Sequence, residues 1–159
     1  THTGEEQAVD AREAQAFGNP VRLWPAIGAG VTVIAAHVAT TGACLDEQPT
    51  VEGFHGAAGP SCFAVLRGML RDPRTEGRLY ADISATMQIN RAGAFLTDLL
   101  TDTALHARLV NGSDYPLPAI DPLVSTRYLV RAGLLADEDR VLANAVFDAT
   151  GVRLRTVLN

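Results

Sequence analysis

The run Val31-Thr32-Val33-Ile34-Ala35-Ala36 constrains the chain more than any other stretch. It carries no charge and is rich in β-branched residues. A near-continuous apolar run of this kind predicts a parallel strand covered on both faces. Two further short stretches, Leu79-Tyr80-Ala81-Asp82-Ile83-Ser84 and Leu109-Val110, are also strand candidates. Helical patterns separate them. Asn19 and Pro20 open a helix from Val21 to about Ile27, with Pro25 limiting it and Gly28 and Gly30 closing it. After Pro60-Ser61, the residues Cys62, Phe63, Leu66, Met69 and Leu70 fall on one helical face, and Asp72-Pro73 ends that helix. Ala92, Phe95, Leu96, Leu99 and Leu100 make another such face. Strands and helices alternate roughly every 35 to 40 residues, the spacing of right-handed βαβ units on a parallel sheet. The expected class is therefore α/β, with residues 1–159 forming a single domain or part of one.

The tail is expected to be helical. Asp121-Pro122 pairs an N-cap with a first-turn proline, for a helix running to about Ala132 and closed by Gly133. Asp137 caps a last helix whose buried face would be Val141, Leu142, Ala145, Val146 and Ala149, terminated by Gly151. Glu138 and Asp139 suit its positive end.

Three strand ends carry metal-ligating side chains: His2 in Thr1-His2-Thr3-Gly4, His37 after Val31–Ala36, and Asp114 after Leu109-Val110-Asn111-Gly112-Ser113. Ligands of open α/β sheets and of α/β barrels gather beyond the carboxyl ends of strands. Two imidazoles and a carboxylate suit a divalent metal, and zinc foremost. Each residue also has a structural reading. A histidine can close a strand with satisfied hydrogen bonds, and Asp114 can shape the Gly112–Pro116 turn.

Composition narrows the partners. The chain is 47% apolar and carries a net charge of −5 with acids and bases interspersed, so neither nucleic acid nor a membrane is an expected partner. No apolar run approaches the length of a bilayer span, and no charged-then-apolar leader opens the sequence. Cys44 and Cys62 are too few for a disulfide framework and lack CxxC spacing. Cys62 reads as a buried thiol, and a cytoplasmic, reducing compartment is expected. The opening Thr1-His2 has no room for the body of a strand before it, so the sequence reads as the later part of a longer polypeptide.

His2 in Thr-His-Thr-Gly, His37 in Ala-Ala-His-Val, the stretch Tyr80–Ser84 and above all Gly112-Ser113-Asp114-Tyr115-Pro116 resemble the later half of the amidohydrolase superfamily. The likeness is closest to its branch of metal-dependent hydrolases and decarboxylases. Gly133-Leu134-Leu135, Asp137, Arg140 and Asn144-Ala145 are similar to that branch's closing helix. The resemblance implies a TIM (β/α)8 barrel, of which this chain would supply strands five to eight. His2 would end the fifth strand and bind metal. His37 would end the sixth, binding a second metal or, in one-metal members, acting as acid, base or carbonyl polariser. Ser84 would lie near the end of the seventh. Asp114 would end the eighth, bind metal and move the proton of the attacking water. The family's His-x-His pair and its fourth-strand residue are absent from this sequence. The resemblance thus implies that the missing N-terminal barrel half, in the same polypeptide or as a separate chain, is needed, and that the chain alone is inactive.

The leading expectation is a metal-dependent hydrolase of a C–N or C–O bond in a small carbonyl substrate, using zinc or, alternatively, manganese. A metal-dependent non-oxidative decarboxylase is the rival on the same fold. A non-catalytic α/β assembly domain and a metal-free ligand-binding domain are the rivals from other classes, and homo-oligomer formation stays open. His55, in the long stretch 38–60, is a candidate substrate contact. His106 reads as structural, Asp82 as a buried hydrogen-bonded acid, Ser61 as a helix start and Trp24 as packing. Gly28 and Gly30 precede a strand rather than follow one, so they make no dinucleotide fingerprint.

Overall fold

The computed structural model describes residues 1–5, 10, 12–44, 61–112 and 124–149. Backbone contacts divide the chain into two compact units, residues 1–83 with 102–112, and residues 84–101 with 113–159.

The first unit is built on a parallel sheet. Its strands β1 (Val33–Ala35), β2 (Leu79–Asp82) and β3 (Leu109–Val110) lie in the order β1-β2-β3. Val33 faces Leu79 and Ala35 faces Ala81 across the first pair, and Asp82 faces Val110 across the second. The chain is thus α/β, as the alternation of patterns predicts. One face of the sheet is covered over β1 and β2, where Ala35, Leu79 and Ala81 are buried, while Leu109 on β3 is half-buried. The other face is not. Ile34 on β1 is 47% exposed, so β1 is covered on one face rather than on both as its apolar run predicts. A side-chain period of two sends Ile34 to the side opposite its buried neighbours.

Helix α1 (Trp24–Gly28) follows a 3-10 turn at Pro20–Leu23 whose cap is the Asn19 side chain, accepting from the Val21 N–H at 3.2 Å. Trp24 is half-buried, with the Arg74 guanidinium 4.6 Å above its ring, rather than packed between helix and sheet. Helix α2 (Cys62–Arg71) starts at Ser61, whose hydroxyl oxygen accepts from the Ala64 N–H. Its buried residues are Cys62, Phe63, Leu66, Met69 and Leu70, the five that its periodicity marks. Burying a side chain of the size of Leu66 contributes roughly 1.5–3 kcal/mol. The short helix α4 (Thr103–His106) docks on α2 through charge: the Asp102 carboxylate receives Arg67 at 3.1 Å and also pairs with Arg71. Arg108, just before β3, donates to the carbonyls of Leu79, Thr75 and Leu70, tying the end of α2 to the start of β2. His106 is exposed on α4.

Both cysteines sit in one disulfide, Cys44–Cys62, so Cys62 is buried but is not a thiol. The cause is local. An antiparallel bridge between Ala43 and Ser61 brings the next residues to a Cα separation of 4.8 Å, within disulfide reach. With both cysteines paired, cysteine usage no longer argues for a reducing compartment. Among the described residues no helix is long and apolar enough to cross a membrane.

The second unit is helical where it is described: α3 (Ala94–Thr101), α5 (Thr126–Arg131) and α6 (Arg140–Ala149). Leu96 and Leu99 of α3 are buried as their spacing predicts, whereas Leu100 is 57% exposed. Helix α5 starts at Thr126 rather than Pro122, because Ser125 provides the cap by accepting from the Tyr128 N–H. Asp121 and Pro122 lie outside the described residues. The Thr126 hydroxyl donates to Asn144 Oδ1 and joins α5 to α6. Val141 and Leu142, expected on the buried face of the last helix, are 79% and 66% exposed.

Two outcomes follow from this packing. The Cys44–Cys62 bridge spans 18 residues of sequence, so opening it should cost about 3 kcal/mol of stability. Urea unfolding with and without a thiol reductant measures this, with Cys44→Ser as the reference that no longer responds. The hydrogen bond from Arg71, aided by Arg67, holds the Asp102 carboxyl below its usual range against the opposing effect of burial. A folded-state pKa below the unfolded one stabilises above the ordinary carboxylate range and is lost as pH falls through the folded value. The stability advantage of the native chain over Asp102→Asn should therefore shrink as urea unfolding is repeated at acid pH.

Candidate functional site

Residues 1–3 extend the parallel arrangement beyond β1. The Thr1 amino group donates to the Ile34 carbonyl at 2.9 Å, and the Ala36 N–H donates to the Thr1 carbonyl at 2.8 Å. The Thr3 hydroxyl then donates to the Ala36 carbonyl at 2.8 Å. This pairing brings His2 and His37 together. Their ring centroids are 5.6 Å apart and the planes are tilted by 59°. His37 is buried, and Nε2 of the half-buried His2 is shielded from solvent.

The chain leaves β1 in an unusual way. His37, Val38 and Ala39 all adopt positive φ, between 50° and 58°. For residues bearing a Cβ each such conformation costs roughly 1 kcal/mol or more, and a β-branched valine is a true outlier. The surroundings hold the turn in place. Val38 and Ala39 are fully buried, and Thr40 donates its N–H to the His37 carbonyl. Gly4, at φ 87°, packs against the turn: a Cβ there would lie 2.8 Å from the Thr41 carbonyl oxygen and 3.2 Å from the Ala39 backbone. Gly18 in turn lies under the Gly4 carbonyl, too close for any side chain, and receives the Gly4 N–H at 2.8 Å. Glu5 and Thr41 complete the junction through two bonds, Glu5 N–H to the Thr41 carbonyl and the Thr41 hydroxyl to the Glu5 carbonyl. The segments following the two histidines are thus knitted together along several residues.

At the far side of the sheet, Asp82 is a buried acid as its sequence position suggests. Its Oδ1 accepts the Gly112 N–H at 2.7 Å. A Cβ on Gly112 would lie 2.6 Å from the same oxygen, so a side chain there would push the Asp82 carboxylate aside. This contact fixes the chain two residues before Asp114. Ser84 is buried two residues beyond β2. Asp114 and His55 lie outside the described residues, so the structure brings together two of the four expected site residues.

His2 and His37 bring two imidazoles together, and imidazole is a ligand type that zinc and related divalent ions accept. Among the described residues no group of three or more His, Cys, Asp or Glu side chains is gathered for a metal ion. A cavity of about 420 Å³ opens beside Glu5, Gln15, Asn19, Ala43 and the Cys44–Cys62 bridge, and neither histidine lines it. Two contributors were not singled out from the sequence: Thr3, which ties the two histidine segments, and Gly112 as the partner of Asp82. A hydroxyl beside a strand-end histidine, and a glycine preceding Ser113-Asp114, are the signals that could have marked them. Comparison with protein-family models, with curated proteins and with solved structures finds no match to the chain.

The left-handed turn can be tested by substitution. Ala39 and Ala81 are both fully buried. Ala81→Gly loses a methyl group from a strand and adds freedom to the unfolded chain, whereas Ala39→Gly also relieves strain. Ala39→Gly should be the milder change by about 1 kcal/mol in chemical unfolding.

Proposed function

We propose that the chain supplies part of the metal centre of a divalent-metal-dependent hydrolase acting on a C–N or C–O bond of a small carbonyl substrate. The single observation that supports this most is the approach of the His2 and His37 rings at the ends of adjacent parallel segments. Ligands of α/β sheets collect at this end of the strands. The resemblance of the histidine stretches and of Gly112–Pro116 to the amidohydrolase superfamily supports the same reading. In it, residues 1–3, β1, β2 and β3 are strands five to eight of a (β/α)8 barrel. Their all-parallel order is the one such a barrel needs.

In this reading His2 and His37 bind the cation, with Asp114 as the third donor from this chain. A bound zinc or manganese ion supplies Lewis acidity toward the substrate carbonyl and toward water. Asp114 takes the proton released by the attacking water and passes it to the leaving group. The left-handed backbone at His37 limits the conformations from which its imidazole can meet the cation. Asp82 keeps the segment before Asp114 in place by anchoring Gly112. The His-x-His pair of the family comes from a complementary barrel half, which also covers the open face at Ile34. The family's centre also draws on the His-x-His pair and a fourth-strand residue that this sequence lacks, so activity requires that half.

Cobalt(II) or zinc titration of the chain tests the reading. One weakly held cation per chain is expected, lost in His2→Ala and His37→Ala and weakened in Asp114→Asn. Binding that ignores all three substitutions would overturn the metal centre. Tight stoichiometric binding by the chain alone would overturn the need for a second half.

A further inference from the structure

We infer that Thr3 is a positioning residue, whose hydroxyl fixes the separation of the His2 and His37 imidazoles. The inference concerns the geometry of the pair and rests on the proposed metal centre only for its consequence in binding.

The argument starts from where the backbone stops being regular. In a parallel ladder each residue of one strand bonds to two residues of its neighbour. Thr1 does so, donating to the Ile34 carbonyl and accepting from the Ala36 N–H. Immediately afterwards the ladder geometry fails on the β1 side, because His37 turns to φ 58° and Val38 and Ala39 follow it. β1 ends at Ala35, and Ala36 opens the 3-10 turn Ala36–Ala39 that carries His37. The two backbone groups of Ala36 are both held by the His2 segment: the N–H by the residue before His2, and the carbonyl by the residue after it.

These two bonds bracket His2 and end one peptide away from His37. Thr1 makes its bond with main-chain atoms that every residue has. Thr3 makes its bond with a side chain, so residue identity matters there. The Thr3 hydroxyl is sealed from water, the residue being 1% exposed, and a buried hydroxyl bond resists replacement by solvent. Loss of the hydroxyl leaves the Ala36 carbonyl without this donor and frees the peptide that carries His37 to rotate. A strained turn follows that peptide, so its rotation has a downhill direction. The expected result is that the two rings drift apart while the sheet and α2 persist.

Thr3→Val keeps the shape and removes the hydroxyl, and Thr3→Ser keeps the hydroxyl. Two readouts are taken well below the unfolding temperature: the nuclear Overhauser contact between the two imidazole rings without metal, and cobalt(II) affinity by titration. Thr3→Val should lose the ring contact and bind cobalt about tenfold more weakly, the range seen when groups that orient metal ligands are removed. Thr3→Ser should keep both within about twofold of the native chain. If Thr3→Val does not fold, Thr3→Ala takes its place. A Thr3→Val chain that keeps the ring contact and the native affinity overturns the inference, and so does a Thr3→Ser chain that behaves like Thr3→Val. If the native chain binds no cobalt through its histidines while Thr3→Val still loses the ring contact, the metal centre falls and the positioning role of Thr3 stands.

Discussion

The pairing of residues 1–3 with β1 is the interaction on which the site depends. It is a parallel contact between segments more than thirty residues apart, and such contacts are made only after the intervening chain has been ordered. Between them, the 3-10 turns and α1 return the chain to the sheet. Later in the chain, α2 packs against β2. Gly4 and Gly18 allow the backbones beyond the pairing to meet without side chains between them. The main chain around the two histidines is held on both sides, and this keeps their rings near each other.

Strain and restraint are balanced at the same place. Three successive positive-φ residues would unwind if they were exposed. Burial of Val38 and Ala39, the Thr41–Glu5 bonds and the bridge at Cys44 hold the turn from both sides. A turn held this way gives His37 few conformations. For a ligand this is an advantage, since the ordering has been achieved in folding rather than on binding.

Much of this was legible in the residues. The face of α2 was readable to the residue, because five large apolar side chains at helical spacing have one way to be buried. The strands were readable in place and direction, and so were the Asn19 and Ser61 caps, since their chemistry is local. The exposure of Ile34 was not readable, because an apolar run does not record whether its second face is covered. The Cys44–Cys62 bridge was hidden for a different reason: it depends on the Ala43–Ser61 contact, which joins positions 18 residues apart. For α6, the apolar stripe fixed the period of the helix but not which neighbour it would meet, so Val141 and Leu142 stand exposed. Of the site, sequence marked the ligating side chains. It did not mark the main-chain junction that aligns His2 with His37, because carbonyl and N–H groups are common to every residue.

Arg108 gives the sheet a tie of a different kind from its carboxylate pairs. Its guanidinium reaches three carbonyl oxygens, at Leu70, Thr75 and Leu79, and none of these partners titrates. An arginine keeps its charge across the whole accessible pH range. Acid that dissolves the Asp102 cluster leaves this clasp closed, so the corner joining the end of α2 to β2 is where order would survive longest as the rest of the unit loosens.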